Sequence, residues 1–229
     1  MLAVSSRRWL DPAVTEPWIR QCAACGARLP SLAWLAPAGG RCVACGHPAT
    51  WRERLLALGT GAVAAGAGLL FPDWRQAVPA ALLLAVLWLA AWIDLEARLI
   101  PDRLLAVAVV GALLVAISWP PAPWQSALFG AVLLGGFTLL LALFSRGGLG
   151  GGDVKLAAVI GLYLGPLAGV LALLAAFLGA GLWAALMLAT HRRQGRDSFA
   201  LAPYLAAAAA LVVVLRLSSL PFWGGAGVP

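Results

Sequence analysis

Two short stretches of this chain hold acids where acids are costly. The first is Trp92-Ile93-Asp94-Leu95-Glu96-Ala97-Arg98-Leu99-Ile100-Pro101-Asp102, which closes one apolar run and opens the next. The second is Gly147-Gly148-Leu149-Gly150-Gly151-Gly152-Asp153-Val154-Lys155-Leu156, which opens another. An ionisable side chain at membrane depth points to function by default. If Asp94 and Asp153 face each other, their titrations couple and the pair shares one proton near working pH. The ionised partner then takes a proton from water while the protonated partner polarises a carbonyl, which is aspartic peptidase chemistry. Glycines ahead of Asp153 let backbone approach a substrate strand, because a residue without Cβ tolerates unusual dihedrals. No GxxxxGK[ST] pattern occurs there, since Lys155 follows an Asp, so the loop does not read as a nucleotide cradle. Glu96 and Asp102 stand beside Arg98 and Arg103 and read as solvated or ion-paired.

A second constellation lies upstream. Cys22-Ala23-Ala24-Cys25-Gly26 and Cys42-Val43-Ala44-Cys45-Gly46 are two CxxC turns. Their spacing matches a four-thiolate zinc site. Four thiolates close the tetrahedron around Zn²⁺, so Cys22, Cys25, Cys42 and Cys45 predict a structural rather than a catalytic ion. Redox pairs, buried thiols and iron–sulfur ligation are the other readings of the same pattern. His47 reads as a bystander.

These groups need elements to position them, and composition says which. Of the 229 residues, 62% are hydrophobic and 11% charged, with mean hydropathy +0.92. Soluble domains run near 45–50% apolar and about 25% charged, so lipid must cover much of this surface. The apolar runs predict an all-α membrane bundle of about seven transmembrane helices, at 55–71, 78–95, 103–118, 126–144, 154–165, 166–190 and 199–217. The breaks fall at Phe71-Pro72-Asp73, 94–102, 119–123, 145–152, Gly165-Pro166 and 191–197. Residues 1–20 read as an irregular lead without a signal peptide. Residues 21–54 read as a cytoplasmic zinc-ribbon-like module, 55–217 as the membrane domain and 218–229 as a tail. Gly59, Gly61, Gly66 and Gly68 crowd the first span and predict close helix approach there.

Charge sets the orientation. With the N-terminus inside, fourteen of the sixteen Lys and Arg fall in cytoplasmic segments, and only Arg75 and Arg216 fall outside them. That bias places the N-terminus in the cytoplasm and the C-terminus outside. It also accounts for the net charge of +7 without nucleic acid as a partner. Trp74, Trp119, Trp124 and Trp223 read as an interfacial belt.

At these residues the sequence resembles the type IV prepilin peptidase family of GxGD-type membrane aspartic proteases. Asp94 with Ile100-Pro101-Asp102 matches one family pattern, and Gly150-Gly151-Gly152-Asp153-Val154-Lys155 matches the other. Pro203-Tyr204-Leu205 matches a late pattern weakly. The cysteine pairs, with Leu29-Pro30 and Trp34 between them, match the family's cysteine module. The resemblance implies Asp94 and Asp153 as the catalytic pair and prepilins or type II secretion pseudopilins as substrates. It implies cleavage of a basic leader at the cytoplasmic face of a bacterial inner membrane. Many bacterial members also methylate the new N-terminus with S-adenosylmethionine. This chain shows no span ahead of its cysteine module, which counts against methyl transfer and makes S-adenosylmethionine the weaker cofactor expectation beside zinc. The competing readings are an inactive zinc-ribbon adaptor of a pilus or secretion assembly, which need not keep both acids, and a transporter. Transporter sites lie near the midplane, whereas these acids lie at the inner edge.

Overall fold

The structure is a computed structural model that describes residues 25–26, 44–46, 48, 51–118, 124–145, 149–190 and 201–215. Of these, 87% are helical and none forms a strand, which is the all-α class that composition implies. The chain divides into two compact units, Met1–Ala62 and Val63–Pro229. The described part of the first unit holds turns at Cys25-Gly26 and Ala44-Cys45-Gly46 and the opening of α1 (Trp51–Leu70). The second unit holds α2 (Trp74–Ala97), α3 (Asp102–Ser118), α4 (Trp124–Phe144), α5 (Gly151–Ala189) and α6 (Ala202–Val214).

Three of these helices are long and apolar enough to cross a membrane: Trp74–Leu95, Trp124–Phe144 and Gly151–Ala189. The apolar parts of α1 and α6, Arg54–Leu70 and Ala202–Val214, are shorter. Large apolar side chains stand exposed on α4 and α5, including Phe129, Val132, Phe144, Leu178 and Leu182. Apolar patches of that size on a helical bundle mark a surface that something other than water covers.

Helix α2 begins earlier than the expected start at 78. Asp73 caps it, with extended backbone (φ −80°, ψ 117°) and a carboxylate that accepts the Arg75 N–H at 3.0 Å. Pro79 therefore lies inside the helix, buried, near enough to its beginning that only the first turn loses a bond to the missing N–H.

The expected break at Gly165-Pro166 takes another form. One helix assignment, Gly151–Ala189, runs through it, but Gly165 has φ 75° and ψ −176°. That region is essentially open to glycine alone. Pro166 adds its own bias, since the residue before a proline avoids helical dihedrals. Two helical arms, 151–164 and 166–189, thus meet at a fixed kink. The kink packs on α4: a Cβ at Gly130 would lie 2.7 Å from the Gly165 carbonyl carbon and would overlap the Gly161 carbonyl oxygen. Close helix approach is therefore built from Gly130 and Gly161. The expectation for the first span differs from what is seen. A Cβ added at Gly66 or Gly68 would meet no atom within 4 Å among the described residues.

Helix α5 is the central element, packing against α4, α6, α3 and α2, while α2 also packs on α6 and α3. Tyr163 pins α5 to α3, its buried hydroxyl donating to the Ala108 carbonyl at 2.8 Å. Lys155 reaches Asp102 nearer the start of both helices. Two such links in the same order along each chain segment make α3 and α5 parallel. Their N-termini therefore open at one end of the bundle.

Candidate active site

Asp94 lies in the last turns of α2. The helix stops just beyond it, where Arg98 adopts left-handed dihedrals (φ 53°, ψ 39°) and returns its N–H to the Asp94 carbonyl at 2.9 Å. Arg98 is the one non-glycine with positive φ among the described residues. An L-residue there costs about 1–2 kcal/mol, so the loop that leaves Asp94 is held in a demanding shape. The Asp94 side chain is only 6% exposed. Its Oδ2 accepts the Ala202 N–H at 3.2 Å. Ala202 opens α6, with Pro203 in the first turn. The first N–H groups of a helix have no partner inside it, and here one of them is spent on a carboxylate. The positive end of the helix dipole favours the same placement.

Asp153 is the third residue of α5, after Gly151 and Gly152, with Gly150 as the cap (φ −74°, ψ 146°). Glycine brings no side chain to the cap. Instead the Asp153 carboxylate reaches back to the Gly150 N–H, which is half of a capping box. A Cβ at Gly150 would sit 3.3 Å from Asp153 Oδ2, so this turn closes best around glycine. Asp153 Oδ1 is buried and has no hydrogen-bond partner among the described residues. Buried acceptors are nearly always satisfied, so this oxygen is poised for a partner that the described residues do not supply.

The two acids act on each other. The charge of Asp94 is felt at Asp153, and that of Arg98 at Asp94. The N-termini of α3, α5 and α6 converge on this end of the bundle, bringing partial positive charge to a site with two carboxylates.

The intervening motif residues join the two acid-bearing segments. Ile100 is buried, and a Cβ at Gly152 would lie 3.0 Å from its Cβ. Buried Pro101 precedes α3, and its carbonyl accepts the N–H groups of Leu104 and Leu105 at 3.1 and 3.3 Å. Asp102, the first residue of α3, accepts a 2.6 Å contact from Lys155 Nζ. Gly151 is exposed, with open space where a Cβ would stand. Asp94, Ile100, Asp102, Gly152, Asp153 and Lys155 thus gather at one end. Two further residues, which sequence reasoning did not single out, serve the same end. Ala202 holds Asp94 by its main chain, and Tyr163 ties α5 to α3. The Pro203-Tyr204-Leu205 pattern was the one signal near Ala202. Nothing in the sequence marked Tyr163.

Of the cysteine module, Cys25 and Cys45 are described and exposed, while Cys22 and Cys42 lie outside the described residues. Gly26 (φ 71°) and Gly46 (φ 69°) both take left-handed dihedrals. The two knuckles therefore turn alike at the glycine that follows the second cysteine.

Comparison with known proteins gives the chain's family. The model of the type IV leader peptidase family matches residues 81–185, a stretch that contains both Asp94 and Asp153. A prepilin leader peptidase/N-methyltransferase of Bacillus subtilis (strain 168) is 30% identical over 184 residues, covering 80% of this chain and 74% of that protein. The chain belongs to the type IV leader peptidase family. A prepilin leader peptidase/N-methyltransferase of Dickeya chrysanthemi is 30% identical over 200 residues, 82% of this chain and 68% of its own length. One from Burkholderia pseudomallei (strain 1026b) is 37% identical over 133 residues, 55% of this chain and 42% of its own. No solved structure matches the chain. As a family member it is a prepilin peptidase and a membrane protein.

Proposed function

We propose that the chain is a membrane aspartic endopeptidase that removes the leader from type IV prepilins or type II secretion pseudopilins, with Asp94 and Asp153 as its catalytic pair. The observation that carries this reading is that two carboxylates from separate helices lie at one end of the bundle, near enough for the charge of one to act on the other, and that one of them has a buried oxygen with no hydrogen-bond partner among the described residues. Family membership supports the substrate class. In this mechanism the ionised acid takes a proton from water, and the protonated acid donates to the scissile carbonyl oxygen. Collapse of the tetrahedral intermediate breaks the C–N bond, and the proton taken from water passes to the leaving amine. The open space beside Gly151 leaves room for an extended substrate backbone.

The seven-span topology, the inner-membrane location with cytoplasmic N-terminus, and a structural Zn²⁺ on Cys22, Cys25, Cys42 and Cys45 belong to the same proposal. The charge bias supports the topology. The matched left-handed glycines after Cys25 and Cys45 fit the zinc knuckles. The test is co-expression with a prepilin-like chain of the same genome, followed by mass spectrometry of the product. Loss of the leader is expected. A further gain of one methylene on the new N-terminus would add methyl transfer. A folded chain that cleaves no prepilin or pseudopilin of its genome would leave the adaptor reading in place.

A further inference from the structure

Residues 100–102 follow Asp94 in sequence but fasten to both sides of Asp153 in space. Ile100 rests on Gly152, where a Cβ would come within 3.0 Å of the Ile100 Cβ. Asp102 pairs with Lys155 at 2.6 Å, across 53 positions of sequence. One contact precedes Asp153 by a residue and the other follows it by two.

The ion pair has an unusual profile for its setting. Its side chains are 56% and 73% exposed. Pairs that exposed contribute little to stability, because water screens them and two long side chains lose freedom. Two other reasons for these residues can be weighed. Asp102 stands in the first turn of α3, where an acid suits the helix dipole. That reason concerns α3 alone and gives no part to Lys155. The joint reason is geometric. The loop from Arg98 to Pro101 leaves α2 just after Asp94, and the pair ties its far end to the turn that carries Asp153. Deeper in the bundle, Tyr163 holds the same two helices together.

We infer that the Asp102–Lys155 ion pair, with the Ile100–Gly152 contact, sets the separation of the two acids, so that Asp102 and Lys155 are positioning residues of the peptidase. This rests on the peptidase reading above. Reacting groups lose about a hundredfold in rate for an ångström of misplacement. The pair therefore acts on kcat, through the geometry of the two carboxylates, and leaves KM and folding nearly unchanged.

The experiment uses the full chain in lipid vesicles. A zero-length carbodiimide should join Lys155 to Asp102 as an amide with loss of water, read by mass spectrometry; no such cross-link overturns the inference without touching the peptidase reading. Asp102→Asn and Lys155→Met should each lower kcat for prepilin cleavage by roughly ten- to a hundredfold with KM within about twofold. The double variant should fall no further than either single one, as expected for residues that act as one unit. Lys155→Arg should recover most of the loss. Single variants that match the parent, losses that multiply in the double variant, or losses that appear as unfolding overturn the positioning role while leaving the peptidase intact. A parent that cleaves no prepilin overturns both.

Discussion

At Asp94 the carboxylate is buried to 6% exposure and anchored by a main-chain N–H that arrives from the far end of the sequence. At Asp153 the carboxylate leans on its own helix cap, keeps one oxygen unpartnered and is framed by glycine. One acid is held by a bond from another helix and the other by its own local turn. The difference implies a division of labour. In the proposed pair, the buried, anchored carboxylate would serve as the fixed reference. The one in the glycine turn is the one that a substrate backbone can approach.

Lengthening each acid by one methylene tests this contrast with the largest effect. Asp94→Glu lengthens a buried side chain and must displace its bond to Ala202, so cleavage should fall by roughly a thousandfold. Asp153→Glu disturbs only the reach of its carboxylate to the Gly150 N–H within its own turn and should lose less, on the order of a hundredfold. Equal losses in a prepilin cleavage assay would erase the distinction.

Removing the anchor itself comes next. Ala202→Pro deletes the N–H at the first helix position, which accepts proline, although Leu201 before it must leave its helical dihedrals (φ −89°, ψ −29°). A hydrogen bond to a charged group contributes about 1.5–3 kcal/mol, so kcat should drop roughly ten- to a hundredfold. Ala202→Gly keeps the N–H and should stay near the parent. The two kcat values, measured beside thermal unfolding in detergent, separate the missing donor from poorer packing.

On the Asp153 side, Gly152→Ala should force Ile100 to shift by a few tenths of an ångström and cost several-fold in kcat, with unfolding little changed. Smallest in activity should be Tyr163→Phe, which leaves the buried Ala108 carbonyl without its donor far from either acid. Its cost of about 1–3 kcal/mol should appear in the unfolding midpoint and hardly in cleavage.

How far the sequence could be read follows the same division. Asp94 and Asp153 are visible because acids beside apolar runs are rare, and Gly150 to Gly152 because repeated glycine is. The helical class and the breaks at Phe71-Pro72-Asp73 and Gly165-Pro166 follow from apolar runs and punctuation. What misled was pattern without context. The apolar run suggested a span from 78, but Asp73 caps α2 and the helix begins at Trp74. The glycines of α1 suggested close packing, yet among the described residues Gly66 and Gly68 face open space while Gly130 and Gly161 touch. Composition cannot say which neighbour a glycine meets. Ala202 was invisible for a deeper reason: its contribution is a main-chain N–H, which any residue but proline would bring. Its importance lies in where α6 begins, and that is set by tertiary packing against α2 and α5.

The central claim is that Asp94 and Asp153 together cleave a prepilin leader. Asn at either position is nearly isosteric and removes the acid. The decisive measurement is therefore leader removal, followed by mass spectrometry, for the folded parent and for Asp94→Asn and Asp153→Asn in the same vesicles. The account predicts cleavage by the parent and at least about a thousandfold less by each variant. Cleavage at the parental rate by either variant would contradict it and remove that acid from the pair.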